Sequence, residues 1–233
     1  MKQERAVRTR QALIHAAAEA FERNGYVQAK LSDISARAGV SAGALHFHFT
    51  SKAAVAATVM EAAADGLRRA AHNAQRPDMN ALQRLTATTY ALAELIRTDV
   101  VARAGFRLSC ESPHRTSLDL LGEWEGCVQQ LLAEADRERL LADGVRRQDM
   151  VTAIVGATTG FEALARRQPD WLLPVTLRRF WRLLLPRLTT PETLATLLRA
   201  ETESATGAGG RGKGGRRGAD GAAAHPPALS VAR

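Results

Sequence analysis

The chain has 233 residues, 45% of them hydrophobic and 24% charged, with a formal net charge of +8 and a pI near 10.4. That length holds one domain or two small ones, and that apolar share is enough to fill a core. No run of ~20 uncharged apolar residues occurs, which excludes a transmembrane helix. The polar, basic stretch Met1 to Arg10 has no apolar segment behind it, so a cytoplasmic protein without a secretory signal is expected. Cys110 and Cys127 form no CxxC and no paired spacing, and are expected to be reduced, mostly buried thiols.

The positive charge is segregated. Residues 1–52 carry eight Lys/Arg against four Asp/Glu, and residues 205–233 carry five against one. The 152 residues between them carry nineteen of each. A neutral body with a basic head suits a protein whose head alone meets a polyanion.

Helix is the only regular structure the pattern supports, so the expected class is all-α. From Glu4 to Asn24, Leu13, Ala17, Ala20 and Phe21 recur at helical spacing, and Gly25 supplies a C-terminal stop. Two short helices follow at about 32–38 and 42–49, then a longer one over about 51–73, with Pro77 as a boundary. Further amphipathic helices are expected at about 79–98, 100–110, 116–142, 147–167, 171–186 and 191–203. From Ala205 the chain is Gly/Ala/Arg-rich low complexity, read as a disordered basic tail. The expected division is a helix-turn-helix head over 1–52, a helical body over 53–204 and a tail over 205–233.

The informative stretch runs from Leu31 to Phe49 and reads as two short helices around a tight turn. Gly39 can take the left-handed conformation that the turn needs. Val40 plugs the inside of the turn, and Ser41 is a good N-cap for the second helix. Leu45 and Phe49, four apart, anchor that helix to Phe21 and Ile34. Its other face then points outward and presents Ala42, Gly43, His46 and Phe47. Small residues at its start let the backbone approach DNA, and its N-terminal amides favour phosphate. His46 and His48 form an HxH, but residues two apart on a helix point to different faces and no third ligand lies nearby. No metal is therefore expected, and no cofactor. His48 is expected to pack or to meet phosphate.

This segment resembles the TetR family of repressors. The resemblance rests on Asp33-Ile34, Ala38-Gly39-Val40-Ser41, Gly43, Leu45, His48-Phe49 and Lys52, with Ala16-Ala17, Phe21 and Asn24-Gly25-Tyr26 upstream. It covers about residues 8–60. It implies an all-α homodimer that binds a double-stranded operator through its N-terminal heads and a small-molecule effector through its body. A narrower resemblance, to the γ-butyrolactone receptor branch, rests on Asp99 to Ser109 and Trp124. That branch controls antibiotic production and development, and it closes its ligand pocket with a tryptophan at the position of Trp124. Its strongly basic members tend to be pseudo-receptors that answer to antibiotics or their intermediates.

The chain departs from the branch pattern at three places. Ala42 stands where Lys is common, His46 where Tyr is common, and Lys30 where a phosphate-contacting Thr is usual. A shifted operator preference or weaker binding is implied. Arg5, Arg8, Arg10, Lys30 and Lys52 are the expected phosphate partners, with Ser41 at the helix start. In the body, Leu85, Leu92, Phe106, Leu121, Val128 and Phe161 lie on apolar faces that could line a cavity with Trp124, and Thr88 and Thr158 are candidate polar anchors. The helices at 147–167 and 171–186 resemble the pair that forms a four-helix dimer interface, through Val151, Ile154, Val155, Thr158, Leu164, Leu173, Leu177, Leu184 and Leu185.

Two other classes compete. An all-helical enzyme would need a Ser/His/Asp grouping, an aspartate-rich metal motif or a Gly-rich phosphate loop, and the sequence offers none. A ligand-independent architectural DNA-binding protein would share the head, and would have a body without a cavity.

Overall fold

The computed structural model describes residues 2–111 and 118–197. The basic tail over 205–233 and the start of the helix expected at 116 lie outside the described residues. Among the described residues the only bridge between extended segments is an isolated antiparallel one, Leu141 to Thr189.

The head is built from α1 (Lys2–Gln28), α2 (Leu31–Arg37) and α3 (Ala42–His48). Regular helix in α1 stops at Gly25, whose φ of 70° and ψ of 169° break the ladder where the sequence places its stop. Gly39 closes the turn between α2 and α3 with a φ of 68°. Its N–H donates to Ala36 O at 3.1 Å, and Val40 N–H donates to Ser35 O at 3.0 Å. These bonds satisfy carbonyls that the end of a helix leaves open. Ser41 Oγ then accepts from Ala44 N–H at 3.1 Å and starts α3. Arg37 donates to Glu19 Oε2 at 2.8 Å and pins α2 to α1. This bond holds the Glu19 carboxyl below its ordinary range.

The body comprises α4 (Lys52–Ala74), α5 (Ala81–Thr98), α6 (Val100–Glu111), α7 (Leu120–Arg137), α8 (Arg147–Ala165) and α9 (Pro174–Leu188), with a 3₁₀ turn at Pro169–Leu172. Side chains cap the starts of several of them. Ser51 caps α4, an Asn80/Gln83 capping box starts α5, and Asp119 caps α7. Two expectations shift. The helix expected to reach 142 stops at Arg137, because Arg139 turns to a φ of 57° and Leu141 leaves to bridge Thr189. The helix expected over 171–186 is two pieces. Leu173 is extended, and Pro174, which needs no N–H partner, starts the second piece.

Two buried clusters organise these helices. The first joins Leu13, Phe21, Ile34, Leu45 and Phe49 of the head with Val55, Val59 and Met60 of α4 and Leu108 of α6. The second takes Ala63 and Ala64 of α4, Ile96 of α5 and Phe106 of α6. Helices α4 and α6 therefore contribute to both clusters, and the head's core is continuous with theirs. Burying each large apolar side chain contributes roughly 1.5–3 kcal/mol before entropy is charged.

Candidate DNA-reading head and effector pocket

One side of α3 is bolted down and the other faces solvent. Leu45 and Phe49 are buried against Phe21 and Ile34. Ala42, Gly43 and His46 are exposed, and Phe47 is 82% exposed. The Phe47 ring therefore stands on the solvent side of α3, opposite Leu45. The helix presents small residues, an imidazole and a ring on one side. A major groove admits such a helix.

The basic residues divide into two groups. Arg5, Arg8, Arg10 and Lys30 are exposed. The Arg10 guanidinium lies 5.7 Å from the centre of the Phe49 ring, beside the end of α3. Lys52 is turned inward instead. Its Nζ donates to Val27 O and Ala29 O, both at 2.9 Å, and sits 4.8 Å from the centre of the Tyr26 ring. It ties the first residue of α4 to the chain leaving α1, and only one ammonium N–H is left over for phosphate. His48 is half-buried between Phe47 and Phe49. Replacing Lys52 by Met keeps the stem and removes both charged hydrogen bonds. Urea unfolding is expected to show a loss of about 1–3 kcal/mol. An unchanged midpoint would mean that the clamp carries no stability.

In the body, a cavity of about 260 Å³ opens between α4, α5, α6, α7 and α8. Trp124, Leu92, Phe106, Thr158 and Phe161 line it as expected from the sequence. Leu85, Thr88 and Val128 do not, because they are fully buried in packing between helices. Leu121 is half-buried on another face. Thr89 takes the place expected of Thr88 on the wall, while the Thr88 hydroxyl accepts from Gln75 Nε2 at 3.3 Å.

The polar atoms of the wall are few. Trp124 is 8% exposed. Its Nε1 donates to Thr158 Oγ1 at 2.9 Å, and Thr158 in turn donates to Ile154 O at 2.7 Å. Thr158 thus fixes the indole and has no donor left for a guest. Its neighbour Thr159 has a buried Oγ1 with no partner. Arg68 and Glu123 pair across the wall, with Nε to Oε2 at 2.9 Å. Glu162, only 3% exposed, is held by Arg166 through Nη2 at 2.8 Å and Nε at 3.0 Å. Burial pushes the Cys127 thiol of the wall up. Cys110 is pushed up to about 11, by burial first and the Glu162 charge second. Thiols so raised are poor nucleophiles at neutral pH. Among the described residues no group of three or more His, Cys, Asp or Glu could hold a metal ion. No helix of the described residues is long and apolar enough to cross a membrane.

The residues that sequence reasoning missed, Arg68, Glu123, Thr159 and Glu162, are polar positions on helices whose apolar faces were followed. Their signal was a carboxylate or hydroxyl interrupting an apolar stripe, as Glu162 does beside Phe161.

An all-helical head with an outward α3, joined to a body with a mainly apolar cavity, defines a helix-turn-helix DNA-binding regulator. Residues 13–59 match the model of bacterial regulatory proteins of the tetR family. The chain is 29% identical over 195 residues to the A-factor receptor protein of Streptomyces griseus, covering 83% of this chain and 68% of that one. Its fold resembles the crystal structure of a γ-butyrolactone receptor (ArpA-like protein), with a TM-score of 0.72, 27% identity, and coverage of 85% of this chain and 98% of the other. It also resembles CprB from Streptomyces coelicolor in complex with its operator sequence, with a TM-score of 0.69, 28% identity, and coverage of 85% and 99%. The tetR family model matches the head, and over most of its length the chain is similar to proteins of the γ-butyrolactone receptor type.

Proposed function

We propose that the protein is a ligand-responsive transcriptional repressor that binds a pseudo-palindromic operator as a dimer and lets go when a small apolar signal enters the body. The observation that carries this reading is the pairing of an outward α3 with a cavity walled by Trp124 in the same chain. The head over 1–52 reads DNA through Ser41, Ala42, Gly43, His46 and Phe47, with Arg5, Arg8, Arg10, Lys30 and the flank residues His48 and Lys52 toward phosphate. Phosphate contacts set affinity and base-edge contacts set sequence choice. The body over 53–204 holds the effector.

The cavity falls just below the ~300–1,000 Å³ of drug-sized sites, which suits a slender molecule. A γ-butyrolactone-type autoregulator, or an antibiotic or its intermediate, fits an apolar wall with a single unpartnered hydroxyl at Thr159. Genes of antibiotic biosynthesis are the proposed targets, in the cytoplasm beside the nucleoid. The cavity also speaks against an architectural protein without a ligand, whose body would close on itself.

Dimerisation is assigned to α8 and α9. Leu164, Val175 and Leu183 are exposed there, Leu183 at 78%. Val151, Ile154, Leu177 and Leu185 point into the protomer's own core, so the interface rests on the former set. A two-fold pair places two copies of α3 roughly 34 Å apart, one turn of duplex.

The switch is a two-state equilibrium between a DNA-competent and a released form, with α4 linking cavity and head. A ligand shifts it only by its differential affinity for the two forms. Replacing Trp124 by Ala is expected to leave duplex affinity within about threefold and to abolish release by host culture extract. A mobility shift on the gene's own upstream DNA reads both. Release of the variant by the same amount of extract as the parent removes Trp124 from the pocket. Failure of the parent to shift that DNA at low salt defeats the repressor reading itself.

A further inference from the structure

A run of charged contacts leads from the cavity wall to the end of α1. Glu162 lines the cavity, and its carboxylate is gripped by Arg166 at 2.8 and 3.0 Å. Arg166 Nη1 also faces Glu111 Oε1 at 3.8 Å. The same Glu111 oxygen accepts from Arg107 Nε at 2.7 Å. Arg107 Nη1 then donates to the backbone carbonyl of Glu22 at 2.8 Å, in the last regular turn of α1. Arg107 Nη2 lies 3.6 Å from where a Cβ on Gly25 would stand, so the guanidinium rests against the kink itself. A parallel strut ends at the same residue, with Arg103 Nε donating to Glu22 Oε1 at 3.1 Å. Glu22 Oε2 is buried with no partner. A second crevice, of about 320 Å³, is lined by Glu22, Arg103, Glu162 and Arg166 together.

We propose that this run transmits the state of the cavity to the reading head, with Arg166 as the positioning residue at its centre. The inference rests on the effector reading above and names how that site is regulated. Glu162 is shared between the cavity and the run. A guest hydroxyl beside Thr159 that hydrogen-bonds the Glu162 carboxylate competes with Arg166 for it. Arg166 then turns toward Glu111, and Glu111 loosens its hold on Arg107. The Glu22 carbonyl loses its charged donor where carbonyls of a helix end most need one. The chain leaving α1 is the one that Lys52 clamps through Val27 O and Ala29 O, so slack at Glu22 reaches the first turn of α4. Coupling between the two sites requires each link to have a second arrangement, which release of Glu162 by Arg166 would set off. Arg166 is held more firmly charged than an ordinary arginine, chiefly by its bond to Glu162.

The test uses hydrogen exchange of the full chain, without DNA or ligand, reading the amides of residues 24–30. Arg166→Gln, Glu162→Gln and Arg107→Gln are each expected to speed exchange there about fivefold or more through easier local opening. Exchange in α8 should stay at the parent rate, which separates a transmitted effect from local unfolding around Glu162. The double variant Arg166→Gln with Arg107→Gln is expected to exchange no faster than Arg107→Gln alone, since both cut one line. Arg166→Lys should recover part of the parent's protection. Parent rates in Arg166→Gln, parent rates in Arg107→Gln, or effects that multiply in the double variant would each overturn the proposal. Because no effector is used, such a failure leaves the repressor reading standing, whereas a parent that extract does not release would strike that reading, and the transmission with it, whatever the exchange rates.

Discussion

Replacing Ala42 by Glu is expected to weaken binding of the gene's own upstream duplex about 100-fold while leaving thermal stability equal or slightly raised. The two effects have opposite signs because position 42 has two neighbourhoods. Within the protein it is the first residue of α3, exposed and just after the Ser41 cap. A carboxylate there meets the positive end of the helix and gains about 0.3–1 kcal/mol. Against DNA the same carboxylate lies near phosphates. At ~5 Å and an effective dielectric of ~20, one pair of like charges costs roughly 3 kcal/mol, which is about a 100-fold loss. Ala42→Lys reverses the charge and is expected to tighten binding, with the slope of log affinity against log salt steeper by about one. Fluorescence anisotropy across a salt series reads both variants. Equal affinities for the Glu, Ala and Lys forms would place α3 away from DNA.

The largest loss of stability is expected at Gly105. Helices α4 and α6 cross so closely there that an added Cβ would stand 2.2 Å from Ala63 Cβ and 3.2 Å from Val59 O. Neither neighbour is a flexible side-chain end, so the helices must separate. Overpacking of this kind costs about 1–3 kcal/mol and sometimes more, and Gly105→Val, with two further methyl groups, belongs at the upper end. For a chain of this size about 3 kcal/mol lowers Tm by roughly 6–12 °C. The pair also predicts its own rescue. Gly105→Ala combined with Ala63→Gly should regain most of what Gly105→Ala loses, less about 1 kcal/mol for a glycine inside α4. A double variant no more stable than Gly105→Ala alone would show that the crossing can part without strain. The crossing matters for function because α4 and α6 are the helices that pack in both buried clusters.

The head was legible in the sequence because its determinants are local. Gly39, Ser41, Leu45 and Phe49 lie within eleven residues, and their packing partners Phe21 and Ile34 are at most 28 residues away. The sense of α3 follows from two buried positions four apart. Lys52 has a structural role that its sequence neighbourhood does not show. A lysine near a DNA-binding motif reads as a surface charge, but the carbonyls left open where α1 ends at Gly25 offer it better partners. The cavity was half legible. Trp124, Leu92 and Phe106 reach it, whereas Thr88 and Thr89 differ by 100° of helix phase, and only the packing of α5 against its neighbours decides which faces in. The overrun of α7 has the same origin. Leu140 and Leu141 continue its apolar rhythm, and the bridge to Thr189 that draws them away joins segments almost fifty residues apart.

Hydroxyl-radical footprinting of the full chain on its own upstream DNA addresses the outward face of α3 most directly. Two protected patches, their centres about 10 base pairs apart and related by an imperfect two-fold, are expected, and they should vanish with Ala42→Glu. Uniform protection that ignores sequence, or a footprint that Ala42→Glu leaves intact, would contradict the reading of α3 as the helix that lies in the groove.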